Sequence, residues 1–397
     1  MRVSFLKKAL PAVASLVATS LAFSGSDMSY HVSQLERPMQ QTRQERGDPV
    51  MTLKGADGMP GDGTGMDNGY GLYITVAPNY RRAHVGGTEY ACFDKRPTGG
   101  TPPVGKVRSV RGNWDWGLSV GVGYNFVRDM WNAKLDYTWF STGGSDAFSV
   151  PASSSSILPL LGRSSLSDDP DPGSVSVFTF CQDASSSYKL EHHLLSSGLG
   201  RTYPISGRIS LHPHFGVQLV WFGQRQTTSY KGGEPQISTP LQDGPTITIT
   251  KAGLGDRIDS IVDRSDTFGV GPSLGTCAKW YLGSGFSFCS AIDGALIATK
   301  FRIKHDEELS GEKNGPTHVT ASRQGFSPTA HLGVGLRYDR CMHQGFKHLS
   351  AGISYDTRYW WRQRQTLRVD EASVIRFNRS SEDIGFYGLT LDVKLDF

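Results

Sequence analysis

Charged residues of both signs recur in segments of this sequence whose other residues are largely apolar. Lys134 stands two positions from Asp136, and Arg337 two positions from Asp339. Charges of this kind are Lys134, Asp136, Lys279, Asp293, Arg337, Asp339, Asp356, Arg358, Asp392 and Lys394. A spacing of two places side chains on the same face of a β-strand. Such a face either lines a wet channel and orients solutes, or its charges pair with one another and fill the interior.

Small residues on the same faces favour the channel. They are Gly117, Ser119, Gly121, Gly123, Gly333, Gly335 and Gly352. Since these residues have little or no side chain, we expect them to leave open space between the charges.

Alternation of apolar with polar or small residues predicts the strands that carry these charges. Trp114 to Phe126 has an apolar residue at every even position, and Tyr387 to Phe397 has one at every odd position. Eight further segments show strand character, beginning near residues 70, 131, 188, 209, 268, 286, 330 and 349. Period two predicts strands with one apolar and one wet face. The segment from Tyr188 to Gly200 alternates poorly, which predicts a β-bulge.

The connections between these segments are alternately short and long. Short turns at one end and long loops at the other are typical of outer-membrane β-barrels. The sequence has no apolar run suited to a membrane-spanning helix, so membrane insertion requires a closed barrel. We therefore predict an all-β fold, a transmembrane antiparallel up-and-down barrel over residues 68–397, with about 10 strands and 12 as the alternative.

Large aromatic residues lie near the ends of the predicted strands. They are Trp114, Trp116, Tyr124, Trp131, Trp139, Trp221, Trp280, Tyr359 and Trp361. Trp360 also lies near a strand end and is assigned to the same group. Amphipathic rings favour the headgroup level of a bilayer, so we interpret these residues as an aromatic girdle.

The final segment resembles the closing strand of bacterial outer-membrane barrels. The resemblance implies that Phe397 belongs to the signal read by the barrel-insertion machinery. We expect this strand to pair with the first one, Tyr70 to Val76, and so close the barrel.

The start of the sequence predicts export. Arg2, Lys7 and Lys8 precede an apolar stretch, and Ser20-Leu21-Ala22 fits a cleavage site. Residues 1–22 are thus predicted to be a signal peptide, and residues 23–67 a polar lead that is either disordered or a short helix. The formal net charge of +4 includes those three cations and gives no reason to expect a nucleic-acid partner. The predicted location is the bacterial outer membrane.

The cysteines allow several interpretations. Cys277 and Cys289 flank a predicted turn on the same inner face, so they are candidates for a cross-strand disulfide in an oxidising envelope. Cys92 and Cys181 fall in long loops and Cys341 in a short turn. Exposed odd cysteines suggest bridges to other molecules, while unpaired thiols are an equally open alternative.

No motif predicts catalysis, a cofactor or a metal site. The glycines from Gly269 to Gly275 lack the dinucleotide-binding spacing, and Pro272 excludes the helix that such a motif needs. His212 and His214 share the inner face, but without further ligands they are interpreted as lumen lining. No serine, histidine and acid combine convincingly, so we predict that the chain is not an enzyme.

An ordered series of motifs resembles a known family. It includes Trp114-Asp115-Trp116, Leu135-Asp136-Tyr137-Thr138-Trp139, Leu211-His212-Pro213-His214-Phe215-Gly216 and Gly388-Leu389-Thr390. These motifs are similar to the major-outer-membrane-protein-like pore-forming family of Legionella and environmental Chlamydiales. The resemblance implies a porin-like barrel.

The function predicted from these observations is passive diffusion of small hydrophilic solutes. The alternative is a structural or adhesive surface protein of a disulfide-linked outer envelope. Expected partners are outer-membrane lipid, the barrel-assembly machinery, the solutes themselves, and either further copies of the chain or disulfide-linked envelope proteins.

Overall fold

The computed structural model describes residues 71–397, except 96–103, 127–129, 162–164, 167–173, 234–247, 255, 311–315, 343–346 and 371–375. The predicted signal peptide and polar lead lie outside the described residues.

The described residues form seventeen strands. These are β1 (Leu72–Val85), β2 (Glu89–Asp94), β3 (Gly105–Ser109), β4 (Trp114–Phe126), β5 (Trp131–Ser149), β6 (Ser156–Pro159), β7 (Ser165–Leu166), β8 (Ser174–Phe180), β9 (Asp183–Arg201), β10 (Tyr203–Ser206), β11 (Ile209–Lys231), β12 (Thr248–Gly253), β13 (Ile258–Gly283), β14 (Phe286–Leu309), β15 (Thr317–Met342), β16 (Lys347–Asp370) and β17 (Arg376–Asp396).

Ten of these strands form a closed antiparallel barrel. Their order around the wall is β1, β4, β5, β9, β11, β13, β14, β15, β16 and β17, and β17 pairs back onto β1. At this seam Tyr73 lies opposite Asp396 and Val76 opposite Val393. The prediction of a ten-stranded barrel closed by its last strand is confirmed. Closure leaves no free edge in the wall.

The barrel strands are longer than the sequence predicts. β13 and β15 each have 26 residues, whereas a strand needs only about 9–11 to cross a bilayer. On β13 the outward residues from Phe268 to Trp280, near the short turns, are apolar except for Thr276, and those nearer the long loops include Arg264 and Asp266. The barrel therefore has an apolar outer belt at its turn end and a polar extension at its loop end.

The predicted bulge in the Tyr188–Gly200 segment is wrong. β9 pairs with both β5 and β11 without any shift in register. Its alternation is weak because Leu190 and Leu194 lie buried on the inner face, where a polar residue was expected. A bulge occurs instead in β16, between Trp360 and Arg364, where Arg362 has φ 56°.

The long loops also form β-structure. β2 pairs with β3 and β6, and β8 pairs with β7 and β12. Tyr230, at the loop end of β11, donates a hydrogen bond to the carbonyl oxygen of Tyr90 and accepts one from the Leu161 amide. The first loop sheet is thereby attached to the barrel rim.

The described residues include no helix that is long and apolar enough to cross a membrane.

Candidate functional site

The inner face at the turn end of the barrel carries all ten charges that the sequence singles out. Two pairs are short: Lys279 Nζ lies 2.8 Å from Asp339 Oδ2, and Arg337 Nη2 donates to Asp392 Oδ2 at 2.8 Å. Lys134 and Asp136, on one strand, are 3.7 Å apart. Lys394 pairs with Asp396 at 3.0 Å. The two signs thus neutralise one another within the lumen wall.

Some of these pairs join strands that are not neighbours, and a glycine on the strand between them makes this possible. His214 of β11 contacts Asp293 of β14 at 2.6 Å, and Gly275 of β13 lies opposite both. Arg337 of β15 reaches Asp392 of β17 in the same way across Gly352 of β16.

The inward glycines do not leave open space. A Cβ atom on Gly275 would lie 2.1 Å from Asp293 Oδ1, and one on Gly352 would lie 2.5 Å from Asp392 Oδ1. A Cβ on Gly123 would meet the Tyr73 ring at 2.1 Å. The expectation that glycine widens the lumen is therefore wrong at Gly123 and Gly352, because long side chains from adjacent strands lie across them.

Histidine links these pairs into a network. His331 Nδ1 lies 2.7 Å from the second carboxylate oxygen of Asp293, and His331 Nε2 lies 3.3 Å from Asp356. Asp356 in turn is 3.8 Å from Arg81 of β1. The network runs from β11 to β1 around one side of the lumen and fixes its side chains by charge-assisted contacts.

Gly275→Ala should destabilise the barrel by about 1.5–3 kcal/mol, the usual worth of a hydrogen bond to a charged group. The added methyl would displace the Asp293 carboxylate from His214. Urea unfolding of the barrel in lipid vesicles measures the change. Gly294→Ala is the matched control, since its Cβ would meet only the Thr329 carbonyl oxygen at 3.7 Å. Equal stability of the two variants would contradict the role assigned to Gly275.

Water has access to part of this charged region. The side chains of Lys134 and Asp136 are each 33% exposed although they point into the barrel. Lys279 and Asp339 are only 8% and 3% exposed. The inner charges thus differ in exposure: Lys279 and Asp339 are enclosed by other side chains, whereas Lys134 and Asp136 border space that a water molecule can enter.

An aromatic layer, which the sequence analysis missed, lies above the charges toward the loop end. It comprises Phe140, His192, Phe222, Trp360 and Phe386, all at most 3% exposed. Ring centroids are 5.2 Å apart for Phe222 and Trp360, and 5.0 Å apart for His192 and Phe386. Three strands separate β11 from β16 around the wall, so the first contact crosses the lumen. The five rings therefore pack against one another inside the lumen at this level.

The sequence does contain a signal for this layer. In four places where two aromatic residues are adjacent in the sequence, one ring lies outside the barrel and the other inside. These pairs are Trp139-Phe140, Trp221-Phe222, Trp360-Trp361 and Phe386-Tyr387. Trp360 was assigned to the girdle, but it is fully buried in the lumen. That assignment is wrong because Trp360, like Asp356 and Arg358, is at an even position of β16, and these even positions face the lumen.

The nine predicted girdle residues lie on the outer face. Seven are exposed, from Tyr359 at 37% to Trp116 at 62%, while Trp131 and Trp221 are partly buried by neighbours. Trp114 stacks on Tyr80 with centroids 5.4 Å apart. Their positions border the apolar outer belt.

A second polar layer lies beyond the aromatic layer, in the loop-end extension. His305 contacts Asp263 at 2.7 Å and Glu307 at 3.4 Å. Burial lowers the pKa of His305, but hydrogen bonds and attraction from the two carboxylates outweigh burial and raise it to about 10. The buried imidazole is thus a charged partner of the acids, with 2% of its surface exposed.

The predicted disulfide is not formed. Cys277 lies opposite Ala291, and Cys289 lies opposite Lys279, so the two cysteines are diagonal neighbours, and Cys277 is a free thiol. The expectation of exposed loop cysteines is also wrong for Cys92 and Cys181, which are free thiols buried in the loop sheets. The side chain of Cys341 lies outside the described part.

His212 and His214 stack on the inner face with centroids 6.0 Å apart. Within the described ranges, no group of three histidine, cysteine or acidic side chains is arranged to hold a metal ion.

Comparisons with known proteins identify a family. The model of a family described as Legionella pneumophila major outer membrane protein precursor matches residues 71–397. No curated protein matches the chain.

Three solved structures illustrate the structural similarity. The outer membrane protease OmpT from Escherichia coli is 10% identical, with 82% of this chain and 96% of that chain covered and a TM-score of 0.38. A Pseudomonas aeruginosa FadL homologue is 7% identical, with 82% and 90% covered and a TM-score of 0.24. The transport unit of the Escherichia coli autotransporter AIDA-I is 9% identical, with 82% and 90% covered and a TM-score of 0.26.

Proposed function

Because the chain belongs to the family of the Legionella pneumophila major outer membrane protein, we propose that it forms a narrow pore for small hydrophilic solutes and ions. The chain is an outer-membrane β-barrel, so its turn end faces the periplasm and its long loops face outward. Diffusion through the lumen needs no reaction, and the proposal assigns no catalytic role to any residue.

The exposed charges inside the barrel carry this proposal. Lys134 and Asp136 are one-third exposed on an inner face, which supports a water-filled chamber open toward the periplasm. A lysine or arginine at the lipid-facing surface would cost about 2–4 kcal/mol at the bilayer midplane, and an acidic residue somewhat less, so an inner wet surface is where these charges are stable. Both signs line the chamber, which favours weak rather than strong ion selectivity.

The aromatic layer sets the size of the proposed pore. Phe222 and Trp360 meet across the lumen, so a solute passes only when these rings move apart. Hydrophobic constrictions gate channels by excluding water until they widen. We therefore expect brief, small openings rather than the steady large conductance of a wide porin.

Planar-bilayer recording of the purified, refolded chain tests the proposal. The expected result is discrete small conductance steps with weak cation or anion preference. Complete absence of steps, together with no swelling of vesicles in small sugars, would overturn the pore while leaving the barrel fold intact. Heat-dependent mobility of the folded barrel in detergent gels is the control for folding.

A structural surface protein is the second candidate, favoured by the packed aromatic layer and by the folded loop sheets above it. Its disulfide-linked form has less support, since the described Cys92 and Cys181 are buried.

Removing residues 165–180 should abolish partner binding if the loops are adhesive, and should leave conductance unchanged. Binding to the assembly machinery through Phe397 and self-association stay predictions.

A further inference from the structure

Four cationic side chains form a continuous row on the outer surface of the loop-end extension. Lys189 of β9 lies directly opposite Arg225 of β11, Arg225 lies opposite Arg264 of β13, and Arg264 lies opposite Lys304 of β14. Their chain neighbours Leu190, Gln224, Ser265 and Ile303 are buried on the inner face, so the four cations point away from the barrel.

Two further cations extend the row toward the apolar belt. Lys300 and Arg302 precede Lys304 on the outward face of β14 and are exposed. We call these six residues, Lys189, Arg225, Arg264, Lys300, Arg302 and Lys304, the basic patch. Two acids, Glu191 and Asp266, lie beside it.

Within the described part of the chain, the six cations of the patch outnumber the two acids beside it, of which Asp266 lies directly opposite Arg302. None of the six cations forms an ion pair there, and Asp306, the next outward residue of β14, is paired with His318 at 2.9 Å. Like charges directly opposite one another destabilise a sheet. A row of four such residues therefore calls for an anionic partner from outside the chain.

The position of the patch identifies the partner's location. Arg225 follows Trp221 on the outward face of β11 with only Gly223 between them, and Lys300 lies opposite Phe268. Both aromatic residues belong to the border of the apolar belt, where headgroups begin. The row ends at neutral neighbours, because Lys189 lies opposite Gly143 and Lys304 opposite Thr320.

We propose that the basic patch binds the phosphate groups of a phosphorylated glycolipid in the outer leaflet. Arginine guanidinium groups donate paired hydrogen bonds to phosphate oxygens, and lysine adds point charge. The acyl chains of the same lipid lie along the apolar belt beneath the patch. One face of the barrel thus holds a lipid at a defined site, whether or not the lumen conducts.

Diphosphoryl lipid A and its fully dephosphorylated form are the probes. The purified full chain should bind the phosphorylated form about tenfold more tightly. Arg225→Gln/Arg264→Gln should remove that difference, and Lys189→Gln/Lys304→Gln, at the ends of the row, should reduce it. Added salt should weaken binding of the phosphorylated form. The matched control is Arg201→Gln/Arg340→Gln, which removes two exposed cations at the turn end and should change nothing.

Equal binding of the two lipids by the unaltered chain would overturn the proposal, as would full retention of the difference in both patch variants. Inorganic phosphate at millimolar concentration should not displace the lipid, and displacement would assign the patch to free phosphate instead. Native electrophoresis of the folded variants, with unchanged heat-dependent mobility, excludes misfolding as the cause of lost binding.

Discussion

Replacing Trp360 and Phe222 together by alanine should raise single-channel conductance several-fold. The two rings meet across the lumen at 5.2 Å and are at most 2% exposed. Their removal opens the aromatic layer and lets water join the chamber below to the polar layer above. Bilayer recordings of the variant beside the unaltered chain measure the effect.

The chain offers a matched control for this experiment. Trp361 and Trp221 are the direct sequence neighbours of the two rings, but they point outward. Trp361→Ala/Trp221→Ala removes two aromatic rings at the same height, at least as large in total as Trp360 and Phe222, and should leave conductance unchanged. If both double variants conduct alike, or neither differs from the unaltered chain, the aromatic layer is not the barrier.

Truncating buried rings also affects stability. Phe→Ala and Trp→Ala substitutions in protein cores cost about 3–5 kcal/mol each. The barrel wall is held by strand pairing that these changes do not touch. We therefore expect the midpoint of unfolding to fall while all ten strands stay paired around the wall. Heat-dependent gel mobility separates an opened lumen from a lost fold.

The sequence predicted the wall better than its contents. Alternation located every barrel strand within the apolar belt, because lipid outside and water inside impose opposite demands on successive residues. The loop-end halves of β13 to β16 escaped prediction, since beyond the belt the outer face is polar and the inner face mixes polar residues with apolar ones such as Ile261 and Ile303, so the alternation fades. Arg264 points outward and Ser265 points inward, but both are polar, so the sequence shows no alternation between them.

The inner contacts depend on register, which the sequence does not state. That Arg337 meets Asp392 follows from both lying opposite Gly352, a fact that appears only when three strands are aligned. The disulfide prediction failed for the same reason, because a shift of two residues separates Cys277 from Cys289. The aromatic layer was hidden differently: its rings come from strands on opposite sides of the lumen.

Lys279→Met should give the largest loss of stability among the charged inner residues. It leaves the Asp339 carboxylate, 3% exposed, without its ammonium partner at 2.8 Å. Removing one member of a buried ion pair costs about 3–5 kcal/mol. The His348 imidazole lies 3.9 Å from Asp339, too far to replace the lost contact. Urea unfolding in lipid vesicles at neutral pH measures the change.

Two comparisons assign that loss to the unpaired charge. Lys279→Met/Asp339→Leu removes both charges and should recover much of the stability, since apolar replacements of a buried pair are often neutral. Lys134→Met breaks a pair whose members are one-third exposed and should cost at most about 1 kcal/mol. If Lys279→Met is no worse than Lys134→Met, the turn-end chamber is wet throughout, and the distinction drawn between filled and solvated charges fails.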